Sequence, residues 1–419
     1  MSTQASSFIE RRKQEQDHPL GKVRPELIAE IAEELELPVA TGLPDAICRV
    51  QMVLRDLRPL LPESIISRLD DGRISAAEIC EHNPAVYVQT FQDGSYGIVM
   101  TSALPEYLYR VARPLSSALI RLESNPSMGL ELDELARILS EIVWWQCEGS
   151  FGPDYEISKH QRIYASELAM RAQRFLVAHE LAHVMCDVED KLREERPEAV
   201  GAVEEELVCD YIAVQLSMHA SLARDDDPNF HMLSYAAAEF ALQSWSLLER
   251  LGDRAADAGT HPALPDRLAA MRRALRDYCE DDAAFEQIVL VADLIDSAFS
   301  RAADLLPDIE VRFSAEANAF ADDIHALLDE CSLEDVPDYA RFREEIRPIL
   351  GRGYPVKLVE AVLSPVIDGF FLANRSGSPE FSDEEIKRRF RRMKLLYSLQ
   401  GNYSKPMDTL LECVFSRYR

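Results

Sequence analysis

Two imidazoles stand four residues apart at His179-Glu180-Leu181-Ala182-His183, with a carboxylate beside the first. In a helix, residues i and i+4 share a face, so both rings can reach one ion. Imidazole nitrogen is a good zinc ligand, and a carboxylate next to the ion can move a proton to or from a water there. HExxH is thus a pattern for metal-assisted hydrolysis. With nine His in 419 residues, its chance occurrence is roughly a few per cent. The elements around it therefore decide its weight.

No Gly or Pro interrupts Ala169 to Ala178, and Leu168, Phe175, Leu176, Ala182 and Met185 can line one side of a helix. Ser166 is the expected N-cap. A catalytic zinc usually takes three protein ligands and keeps one position for water, so a third donor is needed. A second helix is predicted from about Glu198 to Met218, since Pro197 suits a helix start. It carries Glu204-Glu205-Glu206-Leu207-Val208-Cys209-Asp210, in which Glu206 and Asp210 share a face. Val203, Leu207, Ile212 and Val214 are expected to supply its packing surface. Asp210 sits among Leu207, Val208, Tyr211 and Ile212, and a buried carboxylate wants a partner. A ligating His that donates its second N–H is one such partner.

HExxH followed by ExxxD on the next helix resembles the gluzincins, most of all the soluble minigluzincins and the catalytic core of membrane-bound proteases that cut prenylated or stress-damaged proteins. Those enzymes carry HExxH, a Glu ligand in ExxAD, and a later HP…R segment. Here the second element is Glu206-Leu207-Val208-Cys209-Asp210, with Cys in place of the usual Ala, and the third is Thr260-His261-Pro262 through Arg267. The resemblance covers about residues 85–275. A similar order, with a hairpin before the zinc helix, occurs in some bacterial phage-exclusion peptidases. The resemblance implies Zn2+ held by His179, His183 and Glu206, with Glu180 as the general base toward the attacking water. It implies that Asp210 orients a ligating His, that Arg267 pairs with a carboxylate such as Asp210, and that His261 steadies the oxyanion. His160, His219 and His231 read as surface or core histidines, and Cys186 and Cys209 as structural cysteines.

Residues 85–91 and 96–101 read as strands joined by an Asp-Gly turn at Asp93-Gly94. Placed over the zinc helix, this hairpin would present an edge on which an extended substrate can pair.

The flanks are helical in pattern. Helices are expected at Pro25–Leu35, Ala46–Leu57 and Ser75–Cys80, then at Pro105–Leu122 and Leu130–Trp145. Beyond Asp277 they are expected at Ala283–Leu306, Ala315–Glu330 and Asp338–Leu350, punctuated by Pro307 and later prolines. A capping box at Ser382–Glu385 opens another. The fold class expected is α+β and predominantly helical. A zincin-like core with a small hairpin or sheet at residues 83–276 lies between an N-terminal helical region, 1–82, and a C-terminal helical domain, 277–419.

A net charge of −28 argues against nucleic acid and against anionic membranes as partners. No apolar run reaches membrane-spanning length; Leu358–Ala373 comes nearest. Residues 1–16 are too polar for a secretory signal. Eight scattered Cys without a CxxC pair suggest reduced thiols and a cytoplasmic protein. The expectation is a soluble zinc metalloendopeptidase acting on a restricted protein or peptide substrate, compatible with stress response or phage defence. The terminal helical regions would gate the site or bind a regulatory protein. The alternative is a non-catalytic metal-binding sensor on the same scaffold; a purely structural site would not need Glu180.

Overall fold

The computed structural model describes residues 3–14, 49–79, 83–124, 132–147, 155, 157–192, 202–224, 228–251 and 262–332. The helices expected at Pro25–Leu35 and Asp338–Leu350, the stretch Leu358–Ala373 and the capping box at Ser382 lie outside these residues. Contacts divide the chain into two units. One is Met1–Gln14, Cys48–Cys147 and Tyr155–Pro307; the other is Glu15–Ile47, Glu148–Asp154 and Asp308–Arg419. All that follows concerns the first.

Its elements run α1 (Gln4–Gln14), α2 (Arg49–Leu57), a 3-10 turn (Arg58–Leu60), α3 (Glu63–Asp70), β1 (Ile74–Ile79), β2 (Val86–Thr90), β3 (Tyr96–Thr101), α4 (Ala103–Ser124), α5 (Leu132–Cys147), α6 (Lys159–Leu192), α7 (Ala202–Arg224), α8 (Pro228–Leu251), α9 (Leu264–Tyr278) and α10 (Asp282–Ser332), of which residues 282–307 belong to this unit. The fold is α+β and mainly helical, with one small sheet among the described residues.

The sheet has the order β1-β3-β2, with β1 parallel and β2 antiparallel to β3. Every residue of β3 is buried, because both faces of the sheet are covered. Ile74, Tyr96, Ile98 and Met100 join the main helical core, with Val86 and Val88 packed against it. Ala77, Ile79 and Val99 pack with Ile9 and Phe8 of α1 on the other face. The strand period of two sorts the side chains in this way. The helix expected at Ser75–Cys80 is therefore β1. Its Ala and Glu favour a helix locally, but pairing along β3 and burial of Ile74, Ala77 and Ile79 outweigh that preference.

The β2–β3 turn is tight at Gly94, whose φ of 74° suits glycine. Ser95 donates its N–H and its hydroxyl to Asp93 Oδ1. The same turn caps α1: the N–H of Gln4 donates to Asp93 Oδ2 at 2.8 Å, and that of Ala5 to Ser95 Oγ at 2.9 Å. Two of the free N–H groups at the helix start are thus met by a turn about 90 positions downstream.

At the centre lies α6, a 34-residue helix packed against α4, α7 and α8. Residues 171–179 are all buried, and Ala165, Ala169, Ala172, Ala178 and Ala182 let neighbouring helices come close. Two buried arginines set its rotation. Arg174 donates to Ser221 Oγ at 3.0 Å and to Asp56 at 3.3 Å. Arg171 donates to Ser234 Oγ at 3.0 Å and pairs with Glu167. The helix starts at Lys159 and not near Ser166, because Ser158 and Gln161 form a reciprocal capping box: the Ser158 N–H donates to Gln161 Oε1 at 2.7 Å and the Gln161 N–H to Ser158 Oγ at 3.4 Å. Ser158→Ala is expected to cost about 1 kcal/mol of stability, read by chemical denaturation.

Pro307 lies inside α10, so the expected break between Leu306 and Ala315 does not occur. A proline removes one N–H and crowds one carbonyl, and the turns on either side continue.

Candidate metal centre

Three elements bring the cluster together. α6 presents His179, Glu180 and His183; α7 crosses it with Glu205, Glu206, Cys209 and Asp210; α9 lies on α7 and delivers Arg267. Met271, Ala274 and Leu275 fix α9 in the core, and Gln215 Nε2 donates to the Ala274 carbonyl at 2.7 Å. Arg272 holds the same helix to the buried Glu239, at 3.0 Å, and to Asp293, at 2.8 Å.

The Nε2 atoms of His179 and His183 lie 3.3 and 3.4 Å from Glu206 Oε2 and Oε1. The rings stand edge to face, 4.9 Å between centroids. One donor atom from each of the three residues lies within 4.8 Å of the others. Two ligands each about 2.1 Å from a tetrahedral zinc are about 3.4 Å apart, so the spacing and the N,N,O chemistry fit such an ion.

Behind the donors each ring has a carboxylate. Nδ1 of His179 is 3.0 Å from Asp210 Oδ1, and Nδ1 of His183 is 3.0 Å from Glu205 Oε1. Asp210 is fully buried and receives two parallel bonds from Arg267, Nε to Oδ2 and Nη2 to Oδ1, both 2.7 Å. Arg267 Nη2 also lies 3.8 Å from Glu206.

Four carboxylates (Glu180, Glu205, Glu206, Asp210) thus surround two imidazoles and one guanidinium. Burial works against a charged His179, yet Asp210 and Glu206 outweigh it and hold the ring above its usual value. For His183, burial is likewise outweighed by Glu206, Glu205 and Glu180, and its pKa rises to about 9. Asp210 is held below the usual carboxylate range, because Arg267 and His179 more than offset its desolvation. So anionic a cluster calls for a cation, and protons and a metal would compete for the imidazoles.

Burial and the neighbouring Glu206 raise the Glu180 carboxyl, while the two imidazoles and the nearby Val88 N–H pull it down. Val88 thus brings the hairpin up to the cluster. Thr101 N–H donates to the Ala85 carbonyl and Phe91 N–H to the Ser95 carbonyl, so in the β2–β3 register the odd residues of β2 bond to β3. Val86, Val88 and Thr90 then turn their backbone groups to the free edge, and the edge group of Val88 meets Glu180. Farther along, Tyr96 OH donates to Asp187 Oδ2 at 2.7 Å.

A family model described as Peptidase U49 matches residues 134–289. No curated protein and no solved structure matches the chain. The matched segment runs from α5 into α10 and contains every residue of the cluster; it supports a peptidase.

His261 lies outside the described residues. Pro262, which follows it, is buried just before α9. His160 and His219 are exposed, the latter packed on Tyr278 at 5.3 Å; the side chain of His231 lies outside the described set. Glu205, the Val88 N–H and the approach of Cys209 Sγ to His183 Nδ1, 3.4 Å, were not legible from motif spacing. Only the Glu205–Cys209 spacing of four hinted that these two share a face.

Glu206→Ala is expected to lower zinc affinity by more than about 100-fold, beyond the 10–100-fold typical of losing an outer partner. Full metal occupancy of that variant in a competition titration would reassign the third donor.

Proposed function

We propose that the chain is a soluble intracellular zinc-dependent metalloendopeptidase that cuts an extended segment of a restricted protein substrate. The observation that carries this reading is the coincidence, within one region, of a closely spaced N,N,O donor set, the Glu180 carboxylate, and the outer edge of β2. A structural metal site would need neither of the last two. The match to a peptidase family supports the same reading.

Zinc bound by His179, His183 and Glu206 would supply Lewis acidity to a water and to the scissile carbonyl. Asp210, 3.0 Å from His179 Nδ1, and Glu205, hydrogen-bonded to His183 Nδ1, would hold the rings in orientation. The outward backbone groups of Val86 and Thr90 and the Val88 carbonyl would pair with the substrate main chain, which gives grip without reading sequence. Glu180 takes a proton from the attacking water at its carboxylate and gives it to the leaving amine. Its raised pKa suits that exchange, since a base must also be able to act as an acid. His261, by resemblance, would donate to the oxyanion.

No helix among the described residues is long and apolar enough to cross a membrane. The charge of −28 disfavours nucleic acid and anionic lipid as partners. A role in stress response or phage defence fits a narrow substrate range, with the terminal regions as docking sites for a regulatory protein.

The test is cleavage of an unfolded protein substrate, followed by mass spectrometry of the new termini. A zinc chelator is expected to stop cleavage and added zinc to restore it; cleavage undiminished after metal removal would overturn the reading.

A further inference from the structure

We infer that the side of His183 turned away from Glu206 belongs to a second, thiophilic metal site made by His183, Glu205 and Cys209, with Cys186 beside it. Glu205 Oε1 lies 3.0 Å and Cys209 Sγ 3.4 Å from His183 Nδ1. One donor atom from each of the three residues lies within 4.8 Å of the others. A further donor is close: the Cys186 thiol lies beside that of Cys209. Cys186 stands three residues after His183 on α6, hence on the same face.

One imidazole N–H serves one acceptor well. Here a carboxylate and a sulfur converge on the same nitrogen, with a second thiol behind, which is more donors than that N–H can use. The comparison with His179 is instructive. Its Nδ1 faces Asp210 alone among these carboxylates, and Asp210 is neutralised by two bonds from Arg267. The Glu205 side chain is 43% exposed, so the thiol side of His183 has a polar rim through which an ion can enter. Cys209 itself is fully buried and held rigidly by α7.

Thiolate, imidazole and carboxylate together select zinc or a related soft divalent ion over calcium or magnesium. On binding, the thiol protons and the His183 Nδ1 proton leave to solvent, and sulfur–metal and nitrogen–metal bonds replace them; no oxidant or reductant takes part. The imidazole of His183 then stands between two sites, Nε2 toward the Glu206 set and Nδ1 toward the sulfur set.

The two sets differ in one way that can be measured: the first contains no sulfur. Metal-free full-length protein titrated with cobalt(II) is expected to take up a second equivalent and to develop the near-ultraviolet thiolate-to-cobalt charge-transfer band. The Cys186→Ala/Cys209→Ala variant is expected to keep one equivalent and lose the band. Alanine is the residue that the resembled ExxAD pattern has at position 209, so the change is sterically mild, and the retained equivalent reports that the His179–His183–Glu206 set is intact. Uptake of a single equivalent by the wild type with no thiolate band would overturn the proposal, as would a band that persists in the double variant. If the double variant binds no cobalt, Glu205→Gln decides: at least a tenfold weaker second equivalent supports the site, and an unchanged titration refutes it. Loss of the sulfur site with the first equivalent intact leaves the peptidase reading untouched.

Discussion

Glu180→Gln is expected to retain its metal and to lose cleavage by about 10²–10⁴-fold, the range for removal of a general base. The amide is nearly isosteric with the carboxylate. Its oxygen can still face the Val88 N–H that lies beside Glu180, so the hairpin should stay where it is. Neither His179 nor His183 uses Glu180 as its Nδ1 partner, since Asp210 and Glu205 fill those places. The variant therefore separates proton transfer from metal binding. Metal content by elemental analysis should match the wild type, while cleavage falls on any substrate that the wild type cuts. Unchanged cleavage would remove Glu180 from the mechanism. Equal loss of metal would mean that its role is structural, and would favour the sensor alternative.

Asp210→Asn is expected to have the largest effect on stability. Asp210 is fully buried and takes both bonds of the Arg267 fork. Removing one charge from a buried pair leaves the other uncompensated, at a cost of about 3–5 kcal/mol. Glu206, 3.8 Å from the guanidinium, is too far to replace it and is itself a candidate ligand. Zinc affinity should fall as well, by about 10–100-fold, because His179 loses the carboxylate facing its Nδ1. The two effects can be separated with Asp210→Leu/Arg267→Met. A packed apolar pair should recover most of the stability but none of the affinity. Urea denaturation of metal-free protein and a zinc competition titration read the two quantities. Recovery of affinity in the double variant would show that Asp210 acts through folding alone.

Much of the local structure could be read from residue order. The β2–β3 hairpin follows from alternating apolar residues around Asp93-Gly94. The continuity of α6 follows from its lack of Gly and Pro. Other elements resisted. Ser75 to Ile79 has helical composition, and only β3 alongside it makes it a strand. Ser158 caps α6 better than Ser166 because Gln161 returns the bond. On α7 Val214 and Ile212 pack as expected and Asp210 is buried, but Val203 is 44% exposed, and Val208 and Tyr211 face outward while Glu206 lies inside. Apolar content marks the inner face of a helix only when the interior is apolar. Here it contains two imidazoles and a guanidinium, and these draw the acidic stripe inward.

Residue order by itself determined what lies within one turn of one helix: His179 and His183 on a common face with Glu180 beside them, and Glu206 and Asp210 on another. The period of the helix sets those relations. Only the tertiary structure decided which carboxylate faces which ring, that Val88 reaches Glu180, and that Glu205 and Cys209 share the far side of His183. These depend on the crossing of α6 and α7 and on the seating of α9 and the hairpin against them. Such contacts come from packing over long sequence separations, and a local repeat carries no record of them.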